Sequence, residues 1–316
     1  MYQTGQLKQF RERCFYAVGG GGLTITSAAV VPFSIPKEAR FVSILLIAPG
    51  GGGGGGGVAT AGTSRSGGGG GGPGATATAI FAARTLPETI FMILPAGGVG
   101  GSSASNATAT TIALVTANPS SIATVPSNQI LHATFGAIGL TAGSGGAAGT
   151  VSTVANCQFA QRALSVNFNA GNAAGAAAGN PGVAFALAGL TSGGGGGGSV
   201  ATATPSNGGS VTTVSATNIF FTNSATSVLA QGGLTAGSLA GGDGWDAILG
   251  TVPFGVNAYG WFSLGGAGGA SSDAGTGGRG GYGAIGSGGG GGGGGVTGQG
   301  GRGGDGGPSF CLIEWW

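Results

Sequence analysis

Apolar residues in this chain come in short bursts, and most bursts end on glycine. Phe41-Val42-Ser43-Ile44-Leu45-Leu46-Ile47 is rich in apolar and β-branched residues and stops at Pro49-Gly50, the composition of a buried strand with a turn signal behind it. Ala75-Thr76-Ala77-Thr78-Ala79-Ile80-Phe81 alternates hydroxyl with small apolar side chains, the period of two expected of a strand with one buried face. Thr89-Ile90-Phe91-Met92-Ile93-Leu94 ends at Pro95, with Gly97-Gly98 following. The C-terminal Phe310-Cys311-Leu312-Ile313-Glu314-Trp315 reads as another strand, and Trp315 and Trp316 need a surface to cover. The two strongest strands, Phe41–Ile47 and Phe310–Trp315, are expected to share one sheet. The only helical spacing is a short amphipathic stripe, Leu7, Phe10, Cys14 and Phe15, stopped by Gly19-Gly20-Gly21-Gly22.

Between the bursts lie four uninterrupted glycine runs: Gly50–Gly57, Gly67–Gly72, Gly193–Gly198 and Gly288–Gly295. Glycine loses more backbone entropy on folding than any other residue, so such runs make sense where the missing side chain is itself required. Flexible linkers mix glycine with serine and separate domains. These runs are nearly pure and abut apolar strands directly. Polyproline-II geometry fits them better: three residues per turn and about 3.1 Å rise per residue, so that eight glycines span roughly 25 Å. Left-handed rods without Cβ atoms can stack side by side and pair their amides and carbonyls with neighbouring rods. The expected fold class is therefore all-β with polyproline-II (polyglycine-II) glycine rods, a short N-terminal attachment segment and little helix. Residues 1–34 are expected to be that segment. Residues 35–316 are expected to be a glycine-rich β/polyglycine-II domain with long loops at about 102–192 and 199–287. Three copies of the pattern GLT[AS]G, at residues 139–143, 189–193 and 233–237, are expected to mark returns from a loop into the next rod.

Composition sharpens this reading. The chain has 79 glycines and 12 prolines, together 91 of 316 residues or 29%, a level that usually signals low complexity. Disorder, however, rests on low hydrophobicity and high net charge. Here 41% of residues are hydrophobic, only 6% are charged and the net charge is +2, so a folded chain is expected. Charge so sparse leaves no electrostatic footprint for nucleic acid. Two Arg-Gly-Gly elements, at Arg279 and Arg302, have no basic background behind them. Gly242-Asp243-Gly244 and Gly304-Asp305-Gly306 read as turns, with calcium a remote second. His132 is the only histidine, so no histidine metal cluster or Ser-His-Asp triad has material beyond it. Cys14, Cys157 and Cys311 form neither a disulfide framework nor a CxxC pair. The expectation is a non-enzyme with no catalytic residue, no cofactor and no metal. The start of the chain lacks a secretory apolar run, and no apolar stretch reaches the roughly 20 residues that cross a bilayer. Synthesis in a cytoplasm, with no membrane insertion, is expected.

The aromatic residues carry what recognition chemistry there is. Phe220, Phe221, Trp245, Asp246, Tyr259, Trp261 and Phe262 stand out in a chain with 7% aromatics. Rings beside carboxylates suit contact with a saccharide or an outer-surface protein loop. These seven are the candidate receptor-binding residues, on the expectation that the rods carry the loop from Gly244 to Leu264 away from the base. The competing reading makes the rings the plug of a small satellite core.

Ile35-Pro36 leading through Phe41–Ile47 into Pro49 and the first glycine run resembles the opening of glycine-rich domains in bacteriophage tail-fibre and minor tail proteins. So does Gly72-Pro73-Gly74-Ala75-Thr76-Ala77 followed by Ile90–Leu94 and Pro95-Ala96-Gly97-Gly98. The close, Gly303-Gly304-Asp305-Gly306-Gly307-Pro308 into Phe310–Trp315, is similar to how those domains end. In tip adhesins of T-even-like phages the resemblance implies a polyglycine-II sandwich whose loops touch the host receptor. It implies a virion structural protein in a tail fibre, tail tip or other appendage. Its partners would be other virion proteins through the N-terminal segment, and a host cell-surface protein or glycan. Homo-oligomerisation stays open. The alternative is an ice-binding or cell-surface structural protein built on the same bundle.

Overall fold

The computed structural model describes residues 11–16, 29–108, 113–117, 129–141, 162–166, 185–187, 193–201, 204–213, 228–235, 240–246, 249–251, 261–296 and 299–316. Within them the chain is all-β, and the one helical element is a three-residue 3-10 turn, Ala83–Thr85. Two antiparallel sheets form one end of the molecule. The larger runs Arg11–Tyr16, Phe310–Trp315, Phe41–Ile47, Thr76–Ala82 and Arg162–Val166 in spatial order. The smaller runs Ala29–Ser34, Thr89–Leu94, Ala113–Thr116 and Gln129–Ala133. The two strongest strands do lie side by side, with Ile44 opposite Ile313 and Leu46 opposite Cys311.

Alternation decides which side chains go in. Val42, Ile44 and Leu46 point one way and meet Cys311, Ile313, Ala77, Ala79 and Phe81 with Ile90, Met92, Val115 and Leu131 from the second sheet. Each of these larger side chains gains about 1.5–3 kcal/mol by leaving water. Trp315 closes the rim of this core against Phe33, ring centroids 5.6 Å apart, and Trp316 stacks on Phe41 at 5.8 Å. On the opposite face of the larger sheet, Ile47, Phe310 and Leu312 pack with Ile285, which joins the sheet to the glycine segments.

Arg11–Tyr16 is an edge strand paired with Phe310–Trp315, not part of the expected helix. It is matched over six residues with a strongly apolar neighbour, and that pairing satisfies the backbone groups on one side of the strand. Cys311 is buried and in no disulfide among the described residues, whereas Cys157 lies outside them.

The glycine segments lie beyond the sandwich, held by backbone hydrogen bonds that step by three. Gly50, Gly53 and Gly56 donate to Gly307, Gly304 and Gly301, while Gly51 and Gly54 donate to Gly72 and Gly69. The stretch from Gly288 to Gly295 is bonded on six sides. Gly289 and Gly292 donate to Gly51 and Gly54, Gly290 and Gly293 to Gly281 and Gly278, Gly291 and Gly294 to Gly195 and Gly198. In return Gly288 and Gly291 accept from Gly266 and Gly269, Gly289 and Gly292 from Gly71 and Gly68, and Gly290 and Gly293 from Gly304 and Gly301. All twelve bonds measure 2.8–3.0 Å. A partner change at every residue with a return every third is the period of a chain with three residues per turn.

Steric contact, not φ, explains the composition. A Cβ on Gly53 would lie 2.0 Å from the Gly290 carbonyl oxygen, and one on Gly291 would lie 2.0 Å from that of Gly68. Among the described residues only Gly62, Gly286 and Ala104 have positive φ.

Parts of the spans 102–192 and 199–287, expected from the sequence to be long loops, are bundle among the described residues. Residues 136–141, 206–210, 231–235, 240–246, 264–272 and 276–284 all join this hydrogen-bond network. Continuous glycine is unnecessary at the periphery, because only positions facing a neighbour must lack a side chain; Ala267 and Ala270, both fully buried, show that a methyl fits elsewhere. The two Gly-Asp-Gly elements sit inside such segments and are not turns. Asp305 is buried and accepts from the Gly100 amide at 2.8 Å.

Candidate functional site

Two ends and a flank present side chains to solvent. At the end away from the sandwich, Arg65 is 4% exposed and works as a hub. Its Nη1 donates to the Thr60 and Thr63 carbonyls at 3.0 and 2.9 Å; its Nη2 donates to Ser272 O and Asp273 Oδ1, both at 2.8 Å. Its Nε has no partner among the described residues. Two GLT copies cap this end alike: the Thr141 amide donates to Asn106 Oδ1 and the Thr235 amide to Asn207 Oδ1, at 2.9 and 2.7 Å. Leu140 and Leu234 are left exposed. In both copies the described residues, up to Thr141 and Thr235, belong to a glycine segment. The residues that follow, 142–150 and 236–239, lie outside the described ones, and the expected return into a next rod falls there. Residues 189–192 of the remaining copy lie outside the described residues.

The flank is formed where residues 240–246 run parallel to 276–284. Gly241 donates to Thr276 O and Gly244 to Arg279 O. The carboxylates of Asp243 and Asp246 continue that ladder from the other side. Asp243 Oδ1 accepts from the Arg279 amide at 2.7 Å and Asp246 Oδ1 from the Tyr282 amide at 2.9 Å. The three-residue spacing of both pairs (243 and 246, 279 and 282) puts them on one face of a three-residue-per-turn chain. The Arg279 side chain then turns back: Nη2 reaches Asp246 Oδ1 at 3.1 Å, and the guanidinium lies 4.3 Å from the centre of the Tyr282 ring. The ion pair is exposed and contributes little by itself, but it fixes the arginine over the ring. Trp245, between the two aspartates, is 61% exposed.

Of the candidate receptor-binding residues, Trp245 and Asp246 thus stand on this flank. Phe220, Phe221 and Tyr259 lie outside the described residues. Trp261 and Phe262 belong to the strand Trp261–Ser263, opposite Thr251 and Gly250. That strand feeds Leu264, whose carbonyl accepts from Ala284, next to the Ile285 that packs on the larger sheet. Leu264 therefore enters the bundle at the sandwich end. Residues 247–248 and 252–260 of the loop lie outside the described residues, and with them its expected course away from the base. Arg279 and Tyr282 escaped that reading, although their spacing matches that of Asp243 and Asp246. Equal three-residue spacing of polar residues in two glycine segments was the available signal.

His132, half-buried beside Leu114, has its pKa lowered by desolvation from its ordinary 6.5. No three His, Cys, Asp or Glu side chains converge on a metal-sized site among the described residues, and none of their helices is long and apolar enough to cross a membrane. Residues 24–139 match the family model described as a glycine-rich domain, and that part of the chain is a glycine-rich domain. No curated protein matches the sequence.

Proposed function

We propose that the chain is a bacteriophage virion structural protein, a tail-fibre, tail-tip or similar appendage component that displays surface for host recognition. Its glycine segments are polyglycine-II rods, and its activity is rigid presentation without chemistry. The observation that carries this reading is the six-sided backbone bonding of Gly288–Gly295. A bundle held by main-chain bonds in three directions resists bending and needs few side chains for its own cohesion. Its surface residues are then free to be chosen for contact. The two sheets at one end, with the strand Arg11–Tyr16 on an edge, supply the attachment to other virion proteins. Host recognition falls to the exposed flank, against a cell-surface protein or glycan.

Mass spectrometry and immunogold labelling of purified particles test this proposal. The expected result is this chain present at a fixed copy number and labelled on an appendage. Its absence from washed particles overturns the reading.

A further inference from the structure

Trp245 exposes 61% of its surface, more than any other large apolar side chain among the described residues. Water contact on that scale is costly for an indole, and nothing in the bundle's cohesion requires it, because the residue is held by its backbone. Its amide donates to Gln231 O at 3.0 Å, and its carbonyl accepts from Ala267 at 3.1 Å. The ring is therefore mounted on two neighbouring segments, and little further ordering is needed on binding. Asp243 and Asp246 flank it, and each uses Oδ1 toward residues 276–284. The Oδ2 atoms have no hydrogen bond among the described residues.

We infer that Trp245, Asp243 and Asp246 form a saccharide-binding platform, with the Arg279–Tyr282 stack as its fixed rim. The inference rests on the recognition role proposed above and names the ligand class. A pyranose offers a face of C–H bonds to the electron-rich indole face and a ring of hydroxyl donors to carboxylate oxygens. A platform of one ring between two acceptors matches both features. The local charge selects against other classes. Two aspartates and one arginine leave a net negative charge, which repels phosphates and carboxylates. The arginine already paired with Asp246 weakens the site for an ammonium group relative to a neutral polyol.

The test is a printed array of defined bacterial-surface oligosaccharides, probed with the full chain, with Trp245→Ala, Trp245→Phe and Leu234→Ala, and with melting temperatures measured for all four. Binding to at least one pyranose-terminated glycan is expected, weakened at least tenfold by Trp245→Ala and partly restored by Trp245→Phe. Leu234→Ala, another exposed apolar position, should bind as the unaltered chain does, and all melting temperatures should agree within a few degrees. No bound glycan, binding indifferent to Trp245→Ala, or loss matched by a fall in melting temperature overturns the inference. A chain found in particles but silent on the array removes the saccharide platform alone. A chain that binds glycans through Trp245 but is missing from particles removes the virion reading alone.

Discussion

At Gly291 an added methyl would lie 2.0 Å from the Gly68 carbonyl oxygen, while at Gly62 no atom lies within 4 Å and the obstacle is a φ of +76°. The two positions separate the two uses of glycine. Gly291→Ala must push a neighbouring backbone aside and break its bonds, so it should cost at least about 3 kcal/mol, the upper range for overpacking. Gly62→Ala meets only the left-handed penalty of roughly 1–2 kcal/mol. Thermal melts of both variants check the order, and equal losses would contradict it. His132 gives a pH prediction. Burial lowers its pKa in the folded state, so the unfolded chain takes up the proton first as pH falls. Stability should be full above pH 6.5 and decline below it as pH approaches the lowered value. In His132→Gln that decline should shrink in a urea titration at pH 7.5 and pH 5.5. An unchanged decline would assign it to other groups. The residues proposed for recognition were half legible at this scale. Trp245 and Asp246 stand out by type in an aromatic-poor chain, whereas Arg279 reads only as part of an Arg-Gly-Gly element and Tyr282 carries no signal until the three-residue ladder pairs them with the aspartates.

Strands and glycine segments were unequally legible. Phe41–Ile47, Thr76–Ala82 and Phe310–Trp315 carry their own apolar alternation, and the pairing of the first with the last follows from both being too apolar for an edge. Arg11–Tyr16 was read as helix because Leu7, Phe10 and Cys14 fit a helical stripe as well. Its partner strand lies at the other end of the chain, which no local pattern discloses. The pure glycine runs announced themselves. Mixed segments such as 206–210 and 264–272 did not, since their glycines are spaced for contact with particular neighbours that only the folded bundle defines. Arg65 ties two turns of the far end together through four hydrogen bonds. Arg65→Leu leaves three carbonyls and the Asp273 carboxylate without that donor and should destabilise the protein by about 3 kcal/mol, at the lower end for a broken buried pair. Asp273→Asn keeps an oxygen acceptor and should cost about 1 kcal/mol. Denaturant titration of both variants measures this, and equal small losses would show the hub to be ornamental to stability.

The whole molecule joins two kinds of core. The sandwich is held by side chains leaving water, in the ordinary way. The bundle is held by main-chain bonds between segments distant in sequence, with backbone where a core would have side chains. That division explains how a chain with 6% charged residues can fold without a conventional core through much of its length, and why bulky side chains are free to stand outside as Trp245 does. The central claim is that the pure glycine runs are packed rods and not linkers. Amide hydrogen exchange of the peptide covering 288–295 tests it most directly. Six-sided bonding predicts exchange as slow as that of Phe41–Ile47 in the sandwich, limited by unfolding of the whole. Exchange at the rate of an unstructured glycine peptide, with the sandwich still protected, would contradict it.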